Sequence, residues 1–524
     1  MVSKADTSVT APTPSPGNLG TTAHLSFDRV RPSASSPAVA GTGAFTHYAV
    51  DSRFRDEMFR SDGTLRTATK RLGTALNNAT PEQLMQLQDG VRRRFLHEGI
   101  TFTVIGAEEV AEQIIPIDCV PRVIIASEWD HIDRGLRQRL HALNLFLKDI
   151  YHEGWSLRDG IVPHELVLGC PQYRMEMLGT KVPHDAYVSV CGTDIVRTQD
   201  GFAVLEDNLR VPSGVSYMLA CRAAIKQAMP RLYRAHNVRE VLPYPERLYS
   251  QLASLVTWTQ MPRVAVLTPG QYNSAYYEHA FLAGEMGAEL VEGRDLVVHD
   301  GLVFMRTVTG LKRIDVIYRR VDDDFLDPVT FRSDSLLGVP GLFHAYRAGN
   351  VVIANAPGTG VADDKALYAY VPALIRYFLA EEPILANVET HLCRTTEGLT
   401  YTLENLDKLV VKEVGGSGGY GMLVGPHASA KEKEDFAERL RTDPANFISQ
   451  PTLALSRAAC FTDGKLEPRH VDVRPFVLQG KTDTWIAPGG LCRVALRRGS
   501  LVVNSSQGGG CKDLWVINEE KREI

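Results

Sequence analysis

Five glycines fall within residues 415–421, with a β-prone run on either side of them. The stretch reads Lys412-Glu413-Val414-Gly415-Gly416-Ser417-Gly418-Gly419-Tyr420-Gly421. So many glycines cost chain entropy that packing does not require. What they permit is a close approach of backbone N–H groups to phosphate oxygens. Residues 416–421 satisfy G-x-G-x-x-G, which several unrelated nucleotide sites share. A Rossmann turn needs a helix directly after the glycines; MLVGP follows here and reads as a strand. A P-loop ends in G-K-[ST], and a protein kinase carries H-R-D and D-F-G downstream; the sequence has none of these in place. The pattern left is strand, glycine loop, strand, with Lys412 on the first strand. We read it as a phosphate-covering flap, set against the simpler alternative of a flexible hairpin.

A second pattern lies far earlier. YVSVC and FAVLE are short β-prone runs separated by the turn signal TQDG, and they predict a hairpin over 187–206. Asp194 falls on its first strand. On the second, Glu206 and Asn208 share a face because strand side chains alternate, and Asp207 faces the other way. Two carboxylates and an amide oxygen are hard ligands suited to Mg²⁺ shared with phosphates. Alone, such a hairpin reads better as an acidic solvent face; the phosphate flap elsewhere raises the metal reading above it.

The rest of the chain bounds the setting. Its 524 residues suggest roughly three units at ~150 residues each. A net charge of −5 points away from nucleic acid and anionic membrane as partners. The eight cysteines form no C-x-x-C pair or zinc spacing, as expected of free thiols in a reducing compartment. No apolar leader and no membrane-length apolar run occur, so a cytoplasmic location is expected. Residues 1–44 are rich in Ser, Thr, Pro, Ala and Gly, and predict a disordered tail. Trp129, Ile132, Leu136, Leu140, Leu143, Leu147 and Ile150 mark one face of a helix. From RVAVLT onward, strand and helix patterns alternate: a helix from Ser274 to Met286, strands IDVIY and VVIAN, and a helix from Asp363 with Leu367, Tyr370, Val371, Leu374, Ile375 and Phe378 inward. LVVKEV, GMLVG, HVDVRPFVL and TWIA close the chain with β-rich segments, giving an α/β protein with an antiparallel C-terminal part.

The spacing Asp194…Glu206-x-Asn208, then Pro212-Ser213, resembles the magnesium motif of glutathionylspermidine synthetase-type ATP-grasp ligases. More of the chain is similar to the circularly permuted ATP-grasp proteins of bacteria (type 2). The resemblance runs through TFTVIG, EWDHIDRGLRQR, LEDNLRVPSGVSY, VLTPGQYNSAYYEH, DVIYRRVDDDFLDP, NAPGTGVADDKALYAYVP, VVKEVGGSGGYGM, QPTLALS, EPRHVDVRPFVL and VNSSQGGGCKD. It implies an α/β (α+β) ATP-grasp fold in circularly permuted order. The expected divisions are a mainly helical region over 45–180, a Mg-binding part over 181–260, a Rossmann-like substrate subdomain over 261–360, and a nucleotide-binding part over 361–524.

The same resemblance implies roles. Asp194, Glu206 and Asn208 would hold Mg²⁺. Lys365 and Lys412 would contact ATP phosphates under a flap of Gly415, Gly416, Ser417, Gly418, Gly419, Tyr420 and Gly421. Gln450 and Leu453 would lie beside adenine. In one respect the chain departs from the glutathionylspermidine-type pattern: Gly192 stands where an arginine precedes the metal aspartate. Arg197, Arg210 and Arg493 are the candidates to replace it. Arg474 and Arg493 could neutralise developing oxyanions, or form strand-edge ion pairs, and Asn504 could orient substrate or phosphate. Arg319 and Arg320, beside Asp322, Asp323 and Asp324, could bind a substrate carboxylate or brace a loop. Tyr276, Glu278 and His279 stand at a strand-to-helix turn, where α/β sheets line ligand crevices.

Such enzymes phosphorylate a small-molecule or peptide carboxylate, and an amine then attacks the acyl phosphate. Phosphoryl transfer rests on positioning and charge neutralisation, which suits a site of lysines, arginines and backbone N–H groups. A small-molecule phosphotransferase and a non-catalytic nucleotide-binding partner are the alternatives. Oligomeric state is not legible.

Overall fold

The computed structural model describes residues 40–104, 111–416, 421–503 and 509–518. The strands around the site are, in chain order, β1 Ile117–Ile125, β2 Val190–Arg197, β3 Phe202–Asn208, β4 Val264–Leu267, β5 Glu289–Val291, β6 Val316–Arg319, β7 Val352–Ala354, β8 Ala386–Asn387, β9 His391–Leu392, β10 Leu409–Glu413, β11 Leu423–Val424, β12 Phe447–Pro451, β13 Arg474–Gln479, β14 Thr484–Val494 and β15 Gly510–Ile517. The helices used below are α1 Ala126–Tyr151, α2 Val215–Ala228, α3 Tyr276–Met286, α4 Thr396–Glu404 and α5 Ala430–Thr442.

A seven-stranded mixed sheet runs β8-β3-β2-β13-β14-β15-β1. The hairpin β2–β3 turns at Gly201, whose φ of +126° only glycine adopts without strain. α1 buries the predicted face: Trp129, Ile132, Leu136, Leu140, Leu143, Leu147 and Ile150 are all at most 4% exposed. Arg139 on α1 also reaches the sheet, and its Nη2 lies 2.6 Å from Asp207 Oδ2. Asp207 therefore faces the helix, and Glu206 and Asn208 are left on the opposite face, as alternation requires.

A four-stranded sheet, β7-β6-β4-β5, is parallel throughout. Three of its strands, β4, β6 and β7, are short fully buried runs, mostly of Val, Ile, Leu and Ala, the pattern of strands covered on both faces, and the edge strand β5 is only partly buried. Asn355, just past β7, locks this sheet to the hairpin. Its Oδ1 accepts from the N–H groups of Ser189 (2.7 Å) and Val190 (2.8 Å). Its Nδ2 donates to the carbonyls of Val190 (2.7 Å), Leu209 (2.7 Å) and Arg210 (3.2 Å).

A third sheet, antiparallel β9-β12-β10-β11, carries the glycine flap. It packs with α4 and α5 over a small core of its own that includes Cys393, Leu406, Val411, Leu423, Leu440 and Phe447. α5 starts with a capping box between Ser429 and Glu432.

Three sequence expectations need correcting. Residues 40–44, assigned by composition to the tail, are folded: the Ala40 N–H donates to the Gly63 carbonyl, and Gly43–Phe45 is a 3₁₀ turn. Residues 1–39 lie outside the described chain. The helix expected from Asp363 starts two residues later, capped by Asp364, and splits into Lys365–Tyr368 and Val371–Leu379. Pro372, which has no N–H to donate backward, sits in the first turn of the second piece. The mainly helical N-terminal region also supplies β1, which pairs in parallel with β15 at the sheet edge.

Candidate active site

Register in the β2–β3 hairpin sets Asp194 opposite Glu206, and Gly192 opposite Asn208. Asp194 is only 1% exposed. Arg474 of β13 grips both its oxygens, Nε to Oδ1 at 2.5 Å and Nη2 to Oδ2 at 2.9 Å. Arg493 of β14 adds Nη2 to Oδ2 at 2.6 Å and continues to Asp472. Burial works against ionisation here; the two guanidiniums outweigh it and hold the carboxyl well below the usual range. Glu206 is more open, with Oε1 4.0 Å from Arg474 and Oε2 3.7 Å from Lys365 Nζ. Asn208 donates from Nδ2 to the Gly192 carbonyl at 3.0 Å, so its amide oxygen is the free acceptor.

Gly192 now has a physical reason. A Cβ there would lie 3.1 Å from Arg474 Cδ and 3.3 Å from Pro212 Cβ. Arg474 crosses the space that a side chain at 192 would fill.

Across the cleft, Lys412 on β10 donates to Gln450 Oε1 on β12 at 2.8 Å. Gln450 in turn donates to Thr390 Oγ1 at 3.0 Å. Burial pushes the Lys412 ammonium down to about 8; Glu206 and Asp194 oppose the shift, and Lys365 and Arg493 add to it. Lys365 opens its short helix behind the Asp364 cap, and its Nζ donates to the Gly416 carbonyl at the root of the flap. The flap's other root, Gly421, has φ +68°. Ser417, Gly418, Gly419 and Tyr420 lie outside the described residues, as does Asn504.

Two cavities meet here. A narrow one of about 170 Å³ has apolar walls from Val196, Leu205, Val410, Met422, Val424 and Leu453, with Lys412 and Gln450 in its polar lining. It shares Glu206, Lys365, Gly416 and Arg493 with a cleft of about 730 Å³, a size typical of ligand sites. The larger cleft takes in Asn208, Arg210, Gly415 and Arg474, and runs to the C-terminal ends of the parallel strands at Asn273, His279, Arg320 and Asp322. Arg210 is fixed there by Asp363, Nε to Oδ2 at 2.7 Å, with Asp322 3.7 Å from its Nη1.

Some sequence candidates fall elsewhere. Arg197 sits at the far end of β2, bound to Glu57 and Glu128, and lines neither cavity. Arg319 is fully buried and braces Asp323 at 2.7 Å, while Arg320 reaches the cleft wall. Cys191 and Cys511 are free, buried thiols. Asn355 and Asp363 were missed as positioning residues. Their only sequence signals are an Asn just beyond a strand and an Asp just ahead of a helix cap.

Among the described residues no three His, Cys, Asp or Glu side chains cluster to hold a metal by themselves. An ion here would share its shell with Asn208 and ligand oxygens. The donor set fits a hard cation. Asp194 is ionised, and its two oxygens offer about four lone-pair sites, of which the arginines take three.

The family model for circularly permuted ATP-grasp type 2 matches residues 121–495. The chain belongs to that family. Among its relatives, an uncharacterized protein of Synechocystis sp. is 50% identical over 466 residues, covering 88% of this chain and 97% of that one. One from Mycobacterium tuberculosis is 47% identical over 464 residues, covering 88% and 84%. A Frankia alni protein named "Putative glutamate--cysteine ligase 2-3" is 41% identical over 466 residues, covering 88% of this chain and 53% of that longer one. In fold, a glutathione synthetase-like effector from Globodera pallida superposes with a TM-score of 0.53 at 11% identity, covering 84% of this chain and 98% of that one. Among the described residues no helix is long and apolar enough to cross a membrane.

Proposed function

We propose that this ATP-grasp protein is an ATP- and Mg²⁺-dependent ligase joining a carboxylate to an amine through an acyl phosphate. One observation supports the reading most. The acidic hairpin and the lysine–glycine flap, far apart in sequence, meet at Lys365, which lies 3.7 Å from Glu206 and donates to Gly416. The name of the Frankia relative points the same way.

On this reading the apolar slot takes the adenine, with Gln450 and Leu453 beside it. Lys412, Lys365 and the N–H groups of the flap bind the phosphates. Glu206, Asn208 and the remaining lone pair of Asp194 would hold Mg²⁺, which when bound neutralises phosphate charge. Arg474 and Arg493 stand next to the reacting oxygens and stabilise the charge that develops in phosphoryl transfer and in the tetrahedral adduct. Arg210 orients the acid. Preorganised donors of this kind need no nucleophilic side chain.

The test is ADP and phosphate release by the full-length protein with Mg²⁺, ATP and a panel of acids, with hydroxylamine as the trapping amine. Acyl hydroxamate formation supports the ligase. Phosphorylated product without free phosphate assigns a phosphotransferase instead, and no turnover with any acid counts against catalysis.

A further inference from the structure

His279 stands in the second turn of α3, at the C-terminal edge of the parallel sheet, and is 2% exposed. Its Nδ1 is 2.9 Å from Thr268 Oγ1. That hydroxyl accepts the Gly270 N–H at 3.2 Å, and among the described residues Nδ1 is the one acceptor in reach of its own proton, which therefore goes to the imidazole. Nδ1 is then the acceptor, and the ring proton of the neutral tautomer resides on Nε2. Nε2 has no protein partner among the described residues and is not among the buried polar atoms sealed from solvent. The ring forms part of the wall of the 730 Å³ cleft, so its one unspent hydrogen bond points there.

The surroundings select the ligand. Asn273 and Ser274, ahead of the α3 N-terminus, line the same end of the cleft. Beneath them Arg320 pairs with Glu278 at 3.3 Å. Glu278 is further neutralised by the N–H groups of Gly214 (2.7 Å) and Ser216 (3.1 Å) and by the Ser216 hydroxyl (2.9 Å). The local balance is therefore a neutral ion pair, a helix N-terminus, and an imidazole N–H that is fixed as a donor. The proposed phosphoryl transfer occurs where Asn208, Arg474 and Lys365 line the same cleft.

We propose that His279 is a specificity residue, and that the acid substrate is a dicarboxylate, one carboxylate of which accepts the Nε2–H while the other is activated beside Asn208, Arg474 and Lys365. The inference rests on the ligase reading for the identity of the activating part of the cleft. Burial and the neighbouring Arg320 push the imidazolium down to about 2, so the donor stays neutral across the working pH range. Arg320, Glu278 and Tyr318 are the other titratable groups packed around it.

The experiment is binding, which separates it from turnover. Thermal shift and calorimetry on the full-length protein, with Mg²⁺ and a non-hydrolysable ATP analogue, would compare succinate, glutarate and L-glutamate with butyrate and pentanoate. The expected result is about ten-fold tighter binding of a dicarboxylate, the worth of one hydrogen bond to a charged group. His279→Phe should remove that margin, and His279→Gln, which restores a donor near Nε2, should recover part of it. Both variants should bind the monocarboxylates like the parent protein. The margin should be flat from pH 6 to 9. No dicarboxylate preference, an unchanged preference in His279→Phe, or a margin that titrates near neutral pH would each overturn the proposal. Failure of the hydroxamate assay with dicarboxylate binding intact would overturn the ligase reading and leave the His279 contact standing.

Discussion

Lys412 donates a 2.8 Å hydrogen bond to Gln450 across two paired strands, and burial holds its ammonium near pH 8 rather than at the ordinary 10.5. On the proposed reading, the charge on Lys412 is therefore available for phosphate chiefly below about pH 8. We expect kcat/KM for ATP to fall as pH rises through that value, since this parameter reports the free enzyme. Lys412→Arg should move the fall to higher pH. A pH–rate profile of both proteins checks it.

The same burial has a stability consequence. The unfolded chain keeps the lysine proton up to about 10.5 and the folded chain only to about 8, so the buried charge costs stability in full below pH 8 and progressively less between the two values. Lys412→Met should be more stable at pH 7, by on the order of 1 kcal/mol, and no more stable above pH 11. Urea unfolding at both pH values measures it.

Asp194 and Glu206 should respond differently to amide substitution. Asp194→Asn leaves Arg474 and Arg493 without their shared counter-charge, at about 3–5 kcal/mol of stability. Glu206→Gln, at a side chain 26% exposed, should leave the melting temperature nearly unchanged and raise the Mg²⁺ requirement at least 10-fold, on the order of what outer-shell losses cost. Melting curves and Mg²⁺ titrations of ATP consumption distinguish the two.

Gly192→Val should impair activity without unfolding the protein. The added side chain enters space held by Arg474 Cδ, 3.1 Å from an ideal Cβ, and displaces a flexible side chain rather than backbone. We expect kcat to fall by about 10²-fold, the usual cost of one displaced transition-state donor. A comparable loss of kcat in Arg474→Ala, measured side by side, would confirm the route.

Glu57 governs acid stability. Burial would raise its pKa, and Arg122 and Arg197 together bring it down to about 2 from an ordinary 4.5. Its contribution is complete above pH 4.5 and is lost as pH falls toward 2. Glu57→Gln should cost about 3–5 kcal/mol at pH 7 and far less at pH 3, as read by denaturant unfolding.

The sequence was most informative where a local period met a chemical pattern. The helix face from Trp129 to Ile150, the alternation that separates Asp207 from Glu206 and Asn208, and the strands around the glycine flap all follow from spacing alone. The pairing of distant segments does not. Nothing local tells that Arg474 fills the room beside Gly192, or that Arg197 turns away to Glu57 and Glu128. Choosing among arginines required the order of strands in the seven-stranded sheet, a global property that no short window encodes. Asn355 was illegible for the same reason: its five hydrogen bonds reach residues well over a hundred positions away.

That one amide fixes the division of labour in the molecule. It stitches the parallel sheet to both strands of the acidic hairpin, so the floor of the cleft is one tied unit. Lys412 belongs to the antiparallel sheet, which packs on a separate core of its own. On the proposed reading, the ammonium and the Glu206 carboxylate thus reach one ligand from two separately packed bodies.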